Sequence, residues 1–180
     1  MVPCTGTFVV STVAVTSMTL QQPKHSDFAE LPQQLPTLFV QLLAEMAFAD
    51  AWVLGSPEEV GVARGAATVC CCVPFHGLRS GVVLVAADPA LLTDLAAGYH
   101  SLPDEMVDDG TRLEFLAEAG ALLVREISGL CSIPSQLVPG APRLPLVGEI
   151  PSLWSDHHCL KAGFGCNGDG WMVVAVRFDV

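Results

Sequence analysis

Basic residues are scarce in this chain: 8 lysines and arginines stand against 19 aspartates and glutamates, for a formal net charge of −11. Nucleic acids and anionic membranes bind basic surfaces, so neither is expected as a main partner. No eighteen-residue run is uninterruptedly apolar, although 51% of the residues are hydrophobic. A membrane-spanning helix is therefore not expected. The first twenty residues lack the basic start of a signal peptide. These absences predict a cytoplasmic protein, and its acidity permits a basic protein partner.

A Cys-x-x-Cys pair is also absent, although the chain has seven cysteines. Cys70–Cys72 lie in an apolar run, where cysteine acts as a small buried hydrophobe, so reduced core thiols are expected. His157, His158, Cys159 and Cys166 are the alternative, a metal site. A tetrahedral set would need side chains from both faces of one strand, so we predict no metal.

Patterns for bound cofactors are missing as well. The glycines form no phosphate-binding fingerprint, and no nucleophile elbow or Ser/His/Asp arrangement is readable. Residues 167–170, Asn-Gly-Asp-Gly, have too few carboxylates for a calcium loop and are typical of a hairpin turn. The sequence therefore predicts no cofactor.

The order of periodic segments predicts one α+β domain over residues 33–180, after an N-terminal extension and linker at 1–32. Apolar residues from Leu35 to about Asp50 follow a helical period, with Pro36 in the first turn. A short helix is predicted from Asp88 to Ala97 and a long one from Asp109 to Leu130. Predicted strands are 52–54, 64–75, 80–87, 144–150, 157–164 and 171–178, of which 64–75 and 80–87 form a hairpin. We expect a mostly antiparallel sheet packed with two long helices and one short helix.

The long helix has two stripes. Its apolar stripe is predicted to contain Leu113, Leu116, Ala117, Gly120, Leu123, Val124, Ile127 and Leu130. A second stripe consists of Glu114, Glu118, Ala121 and Arg125. Glu118 and Ala121 are three residues apart, so they face the same way. An acid followed by an amide at that spacing could bind a cation and orient a water molecule. The acid is present here, but the amide is not.

Four segments occur in a telling order along roughly residues 33–180: Leu43–Phe48, Gly77–Val85, Asp88–Leu92 and Leu116–Leu123. Together they resemble the CheX/CheC family of chemotaxis phosphatases. The last segment lies where the family has Glu-x-x-Asn followed by two aliphatic residues. Ala121 replaces that asparagine, and no Glu-x-x-Asn occurs in the chain. The one Glu-x-x-Gln, at residues 30–33, contains a proline and is predicted to lie in the linker.

The resemblance implies a phosphorylated receiver domain of a response regulator as the partner. Glu118 would pair with a lysine of the receiver, and the missing amide would position the water that attacks its phospho-aspartate. Glu114, Ala121 and Arg125 would complete the receiver-binding face. The resemblance also implies a homodimer formed through a sheet edge.

Three functions remain open from the sequence. The first is a receiver-binding or scaffolding module with a degenerate phosphatase motif. The second is an active phosphatase in which another residue, such as Glu114, orients the water. The third is a purely structural dimerisation domain.

Overall fold

A computed structural model describes residues 30–55, 68–77, 79–130, 137–167 and 170–179. Its helices are α1 (Leu31–Ala47), α2 (Pro89–His100), α3 (Asp109–Leu130) and α4 (Glu149–Ser155), with a 3₁₀ turn at Asp104–Met106. Its strands are β1 (Ala51–Gly55), β2 (Val69–His76), β3 (Gly81–Ala87), β4 (Val138–Pro139), β5 (Leu160–Cys166) and β6 (Gly170–Phe178). No described helix is long and apolar enough to cross a membrane.

The described strands form one sheet in the order β1-β5-β6-β3-β2-β4, and every neighbouring pair is antiparallel. β2 and β3 form the expected hairpin, in which Val69 pairs with Ala87 and Phe75 with Gly81. The predicted α+β class with an antiparallel sheet is confirmed. Residues 64–67 of the predicted first hairpin strand lie outside the described part of the chain.

Side-chain alternation places the core on both faces of this sheet. Cys71 and Val73 of β2 face the main core under α1, α2 and α3. Cys70 and Cys72 face the other side, where Cys72 belongs to a smaller cluster with Leu153 of α4. The sheet is thus a middle layer with three helices on one face and one short helix on part of the other.

Helix α1 begins earlier than its apolar pattern predicts. It starts at Leu31 instead of Leu35, and Leu31 is itself buried, so residues 31 and 32 belong to the helix and not to the linker predicted at 1–32. Pro36 therefore lies inside the helix, where it cannot donate a hydrogen bond to the carbonyl of Pro32. The helix ends at Ala47 and is capped by Phe48, which has a left-handed φ of 52° and an exposed ring.

The predicted strand 144–150 is wrong: this segment is a turn followed by the start of α4. The alternation of Leu144 and Leu146 suggested a strand, but both side chains are exposed. Glu149 decides the local structure, because its carboxylate binds the Arg143 guanidinium and accepts from the backbone N–H of Leu146. The next strand, predicted at 157–164, begins only at Leu160, so His157 lies in a turn before it.

Candidate functional site on helix α3

Helix α3 is fixed at its start by side-chain hydrogen bonds. The Asp108 carboxylate accepts from the backbone N–H and the hydroxyl of Thr111, each at 2.8 Å. These bonds hold the pKa of Asp108 below its usual value. Arg112 then pairs with Asp109 at 2.8 Å and donates to the hydroxyl of Thr93 on α2 at 3.0 Å. The register of α3 against α2 is therefore set at its first turn.

The buried side of α3 is wider than the sequence predicts. It consists of Phe115, Leu116, Ala119, Gly120, Leu123, Val124 and Ile127. Phe115 and Ala119 were missed because α3 packs against other helices as well as the sheet, and the Phe115 ring meets Tyr99 of α2 at 5.7 Å. Ala117 is half-buried and packs against the main core, whereas Leu113 is only half-buried and Leu130 is exposed, so these last two lie at the edge of the apolar stripe.

Gly120 lets α3 lie close to the sheet. A Cβ atom at this position would stand 2.7 Å from Cγ2 of Val73 on β2, which is closer than real side chains come. Glycine therefore sets the distance between helix and sheet. Gly120 lies nearly opposite Glu118 on the helix. The distance between helix and sheet at Gly120 therefore also sets the distance of Glu118 from the sheet.

The predicted second stripe forms the outward side of α3. Glu114 and Arg125 are exposed, and Glu118 and Ala121 are half-buried. Glu118 Oε1 lies 3.6 Å from Arg125 Nη1, beyond hydrogen-bonding distance, with 38% and 56% of the two side chains exposed. Such an exposed pair contributes little stability. Glu118 is therefore loosely held and could exchange Arg125 for a basic group of a partner.

Ala121 offers only a methyl group at the position beside Glu118. It is half-buried and packs against the main core. Helix α3 contains no asparagine or glutamine at all. A carboxamide can hold a water molecule by donating and accepting at once, and a methyl group can do neither. The outward side of α3 therefore presents carboxylates, but α3 has no amide on it that could orient water.

Two cavities flank the stripe. One, of about 210 Å³, lies between α1 and α3 and brings Gln41 and Glu45 of α1 near Leu122 and Glu126 of α3. The other, of about 330 Å³, lies on the opposite side of α3. Its lining consists of Cys71, Leu113, Glu114, Ala117, Pro142, Arg143 and Leu144. Sequence reasoning missed Gln41 and Arg143, since only the packing of separate elements brings them beside α3.

No group of three or more His, Cys, Asp or Glu side chains that could hold a metal exists in the described part of the chain. The Cys/His set that was the alternative to core thiols is not brought together: His157 and His158 are exposed in a turn, and Cys159 and Cys166 are buried. Burial raises the pKa of both thiols to about 11. Burial likewise raises the pKa of Cys72, to about 12. These groups stay protonated at neutral pH and act as core side chains.

No family model matches the sequence, and no curated protein matches it significantly. Solved structures do match its fold. Chemotaxis protein CheX from Vibrio vulnificus superimposes with a TM-score of 0.57 and 11% identity, over 81% of this chain and 95% of that one. The fold is CheX-like. A CheX from Desulfovibrio desulfuricans gives a TM-score of 0.54 at 12% identity, over 83% and 99% of the two chains.

A third CheX-like structure comes from Borrelia burgdorferi and is a CheX–CheY–BeF3–Mg complex. It matches with a TM-score of 0.52 and 14% identity, over 86% of this chain and 97% of that one. At such identities the similarity establishes the fold. The CheX-like fold implied by the four sequence segments is thus confirmed, with two long helices on an antiparallel sheet.

Proposed function

We propose that this chain is a receiver-binding or scaffolding domain of a chemotaxis or other two-component pathway, with a degenerate phosphatase motif. One observation supports this most: the outward stripe of α3 keeps Glu118 half-exposed and loosely paired, while Ala121 beside it has no polar group. The CheX-like fold supports it too, since a similar structure contains CheX together with CheY. The stripe would consist of Glu114, Glu118, Ala121 and Arg125.

Electrostatics favour a basic partner group at Glu118. Its present partner lies at 3.6 Å, whereas a charge-assisted hydrogen bond from a lysine is typically about 2.7–2.9 Å long. A receiver lysine would therefore replace a weak contact with a stronger one. The net charge of −11 adds a general attraction for a basic surface.

Hydrolysis is expected to be slow in the complex. Aspartyl phosphate hydrolysis requires an aligned water, and positioning can supply a large share of the lowering of the barrier. Without an amide at Ala121, we expect the protein to accelerate dephosphorylation of a receiver by less than about tenfold, or roughly 1.4 kcal/mol.

The direct test uses receivers from the same genome, phosphorylated and mixed with the purified protein. Binding is followed by biolayer interferometry and phosphate loss with a phosphate sensor. Glu118→Ala should weaken binding about tenfold, the value of one charge-assisted hydrogen bond. Glu105→Ala removes an exposed acid outside the stripe and should leave binding unchanged. Binding to no receiver would contradict the proposal, and so would equal losses in the two variants.

A gain-of-function variant tests the chemistry of the stripe. Ala121→Asn supplies the missing amide at a half-buried position and costs about 0.5 kcal/mol of helix propensity. Phosphate loss should increase, and a second change, Glu118→Ala, should abolish the gain. Ala90→Asn makes the same change at an exposed position of α2 and is the control. A folded Ala121→Asn protein that binds receiver without any gain would mean that more than one side chain is missing.

An active phosphatase is the second candidate, favoured by Gln41 of α1. This amide lines the cavity next to the stripe, together with Glu126 of α3. If it oriented the water, a hundredfold acceleration by the wild-type protein would be lost in Gln41→Ala. Loss in Glu114→Gln instead would assign the role to Glu114. Fast hydrolysis of either kind would overturn the degenerate-motif proposal.

A homodimer through the sheet edge is part of the proposal. β1 is an edge strand that, among the described residues, pairs only with β5. Trp52, Val53 and Leu54 on it are exposed, as is Phe48 just before it. Exposed apolar edges favour pairing with another strand. Light scattering should give twice the monomer mass, and Val53→Lys should give a folded monomer; an unchanged mass would exclude this edge.

A further inference from the structure

The turn that links β4 to α4 exposes three large aliphatic side chains. Leu144 and Leu146 are 62% and 68% exposed, and Val147 is fully exposed. We call Leu144, Leu146 and Val147 the aliphatic tip. A cluster of this kind on a protein surface indicates an interaction site, whereas single exposed aliphatic residues are common.

The aliphatic tip is held in place by polar contacts. Arg143 and Cys72 exchange two backbone hydrogen bonds, at 2.8 and 2.9 Å. The Arg143 guanidinium donates twice to the Glu149 carboxylate, each at 2.7 Å. Glu149 also accepts from the N–H of Leu146 at 2.8 Å. The tip is therefore anchored at both ends, so a partner would lose little entropy in ordering it.

The cavity of about 330 Å³ connects the aliphatic tip with the stripe of α3. Leu144 forms one wall, and Leu113 and Ala117 of α3 form the other. Glu114, the first residue of the stripe, also lines this cavity and is exposed. An apolar recess and an acidic stripe are thus continuous on one side of the molecule.

We propose that the aliphatic tip and this cavity form the apolar half of the receiver-docking surface. They would take an apolar side chain of the receiver, with a neighbouring basic side chain of the receiver at Glu114. This inference rests on the proposed function and names the surface that gives the complex its affinity. Charge complementarity favours a basic receiver surface: a second copy docked through this same face would bring Glu114 and Glu118 against identical carboxylates, and an anionic membrane would be repelled.

The experiment measures binding of the full chain to BeF3⁻-activated receivers from the same genome. The double variant Leu144→Ser/Leu146→Ser removes the apolar contact, and Ala117→Leu fills the cavity from the α3 side. Each should weaken binding at least about tenfold, since the complex would lose the burial of a leucine side chain. Met106→Ser is the matched control, because Met106 is also 62% exposed but lies before α3, outside the cavity. Circular dichroism melts verify that every variant folds.

The outcomes separate the two proposals. Weaker binding in the tip and cavity variants, with Met106→Ser unchanged, supports the apolar surface. Unchanged binding in those variants, with a loss in Glu118→Ala, overturns it and leaves the proposed function standing. Failure of the wild-type protein to bind any receiver overturns both. Dimerisation lost on Leu144→Ser/Leu146→Ser, with receiver binding intact, would assign the tip to a second copy and overturn the proposal.

Discussion

Gly120→Ala is a decisive perturbation of helix α3, because two effects of known size oppose each other. Alanine favours a helix over glycine by about 1 kcal/mol. The added methyl group would stand 2.7 Å from Cγ2 of Val73, in a region where Val85 is also only 3.6 Å away. Forcing a methyl group into a packed core costs about 1–3 kcal/mol. We expect the steric cost to exceed the gain in helix propensity, so that Gly120→Ala lowers the free energy of unfolding by about 1 kcal/mol.

Gly129→Ala is the matched control in the same helix. A Cβ at this position would meet nothing within 4 Å, so only the propensity gain should remain. Thermal unfolding followed by circular dichroism should show a melting temperature about 2–4 °C lower for Gly120→Ala than for the wild-type protein. The free energy of unfolding of the control, Gly129→Ala, should rise by a few tenths to about 1 kcal/mol, since alanine stabilises a helix end less than a helix interior.

The collision itself can be isolated by a double-mutant cycle. Val73→Ala removes Cγ2, so Gly120→Ala in that background should become stabilising by up to about 1 kcal/mol. Equal stabilisation by Gly120→Ala and Gly129→Ala in the wild-type background would refute the reasoning. It would mean that α3 does not lie as close to β2 as the structure has it.

Further predictions concern ion pairing, metal binding and thiol reactivity. The hydrogen bonds from Arg143 lower the pKa of Glu149 from its ordinary 4.5 to about 2. The pair therefore stabilises the folded protein fully above pH 4.5, and this stabilisation is lost as the pH falls towards 2. Arg143→Gln should therefore lower the melting temperature at pH 7 much more than at pH 2.5, and equal effects would contradict this. We also predict that tag-free protein contains no stoichiometric zinc; one equivalent by metal analysis, lost in Cys159→Ser or Cys166→Ser, would be contrary evidence. Because burial raises the pKa of both thiols to about 11, iodoacetamide at pH 8 should modify them only after unfolding.

Segments with a strong local period were the ones that the sequence predicted best. The bounds of α3 and the β2–β3 hairpin lie as expected, because each depends on neighbours a few residues apart. The antiparallel class followed from strands that do not alternate with helices. The sequence predicted strands at 144–150 and 157–159, where the structure has none. In the first segment the backbone of Leu146 binds the Glu149 carboxylate, and the second is a turn after α4, so the alternation of side chains does not produce a strand in either.

For the candidate site, the sequence by itself determined that Glu118 and Ala121 share a face of one helix, and that the amide is missing from it. Helical geometry fixes that relation wherever the helix lies. Only the tertiary structure decided which residues of other elements lie next to that face of α3. Gln41 from α1 and Leu144 from the turn before α4 lie far away along the chain and reach α3 through packing on a common sheet. No local pattern encodes such contacts, because they depend on how several elements pack at once.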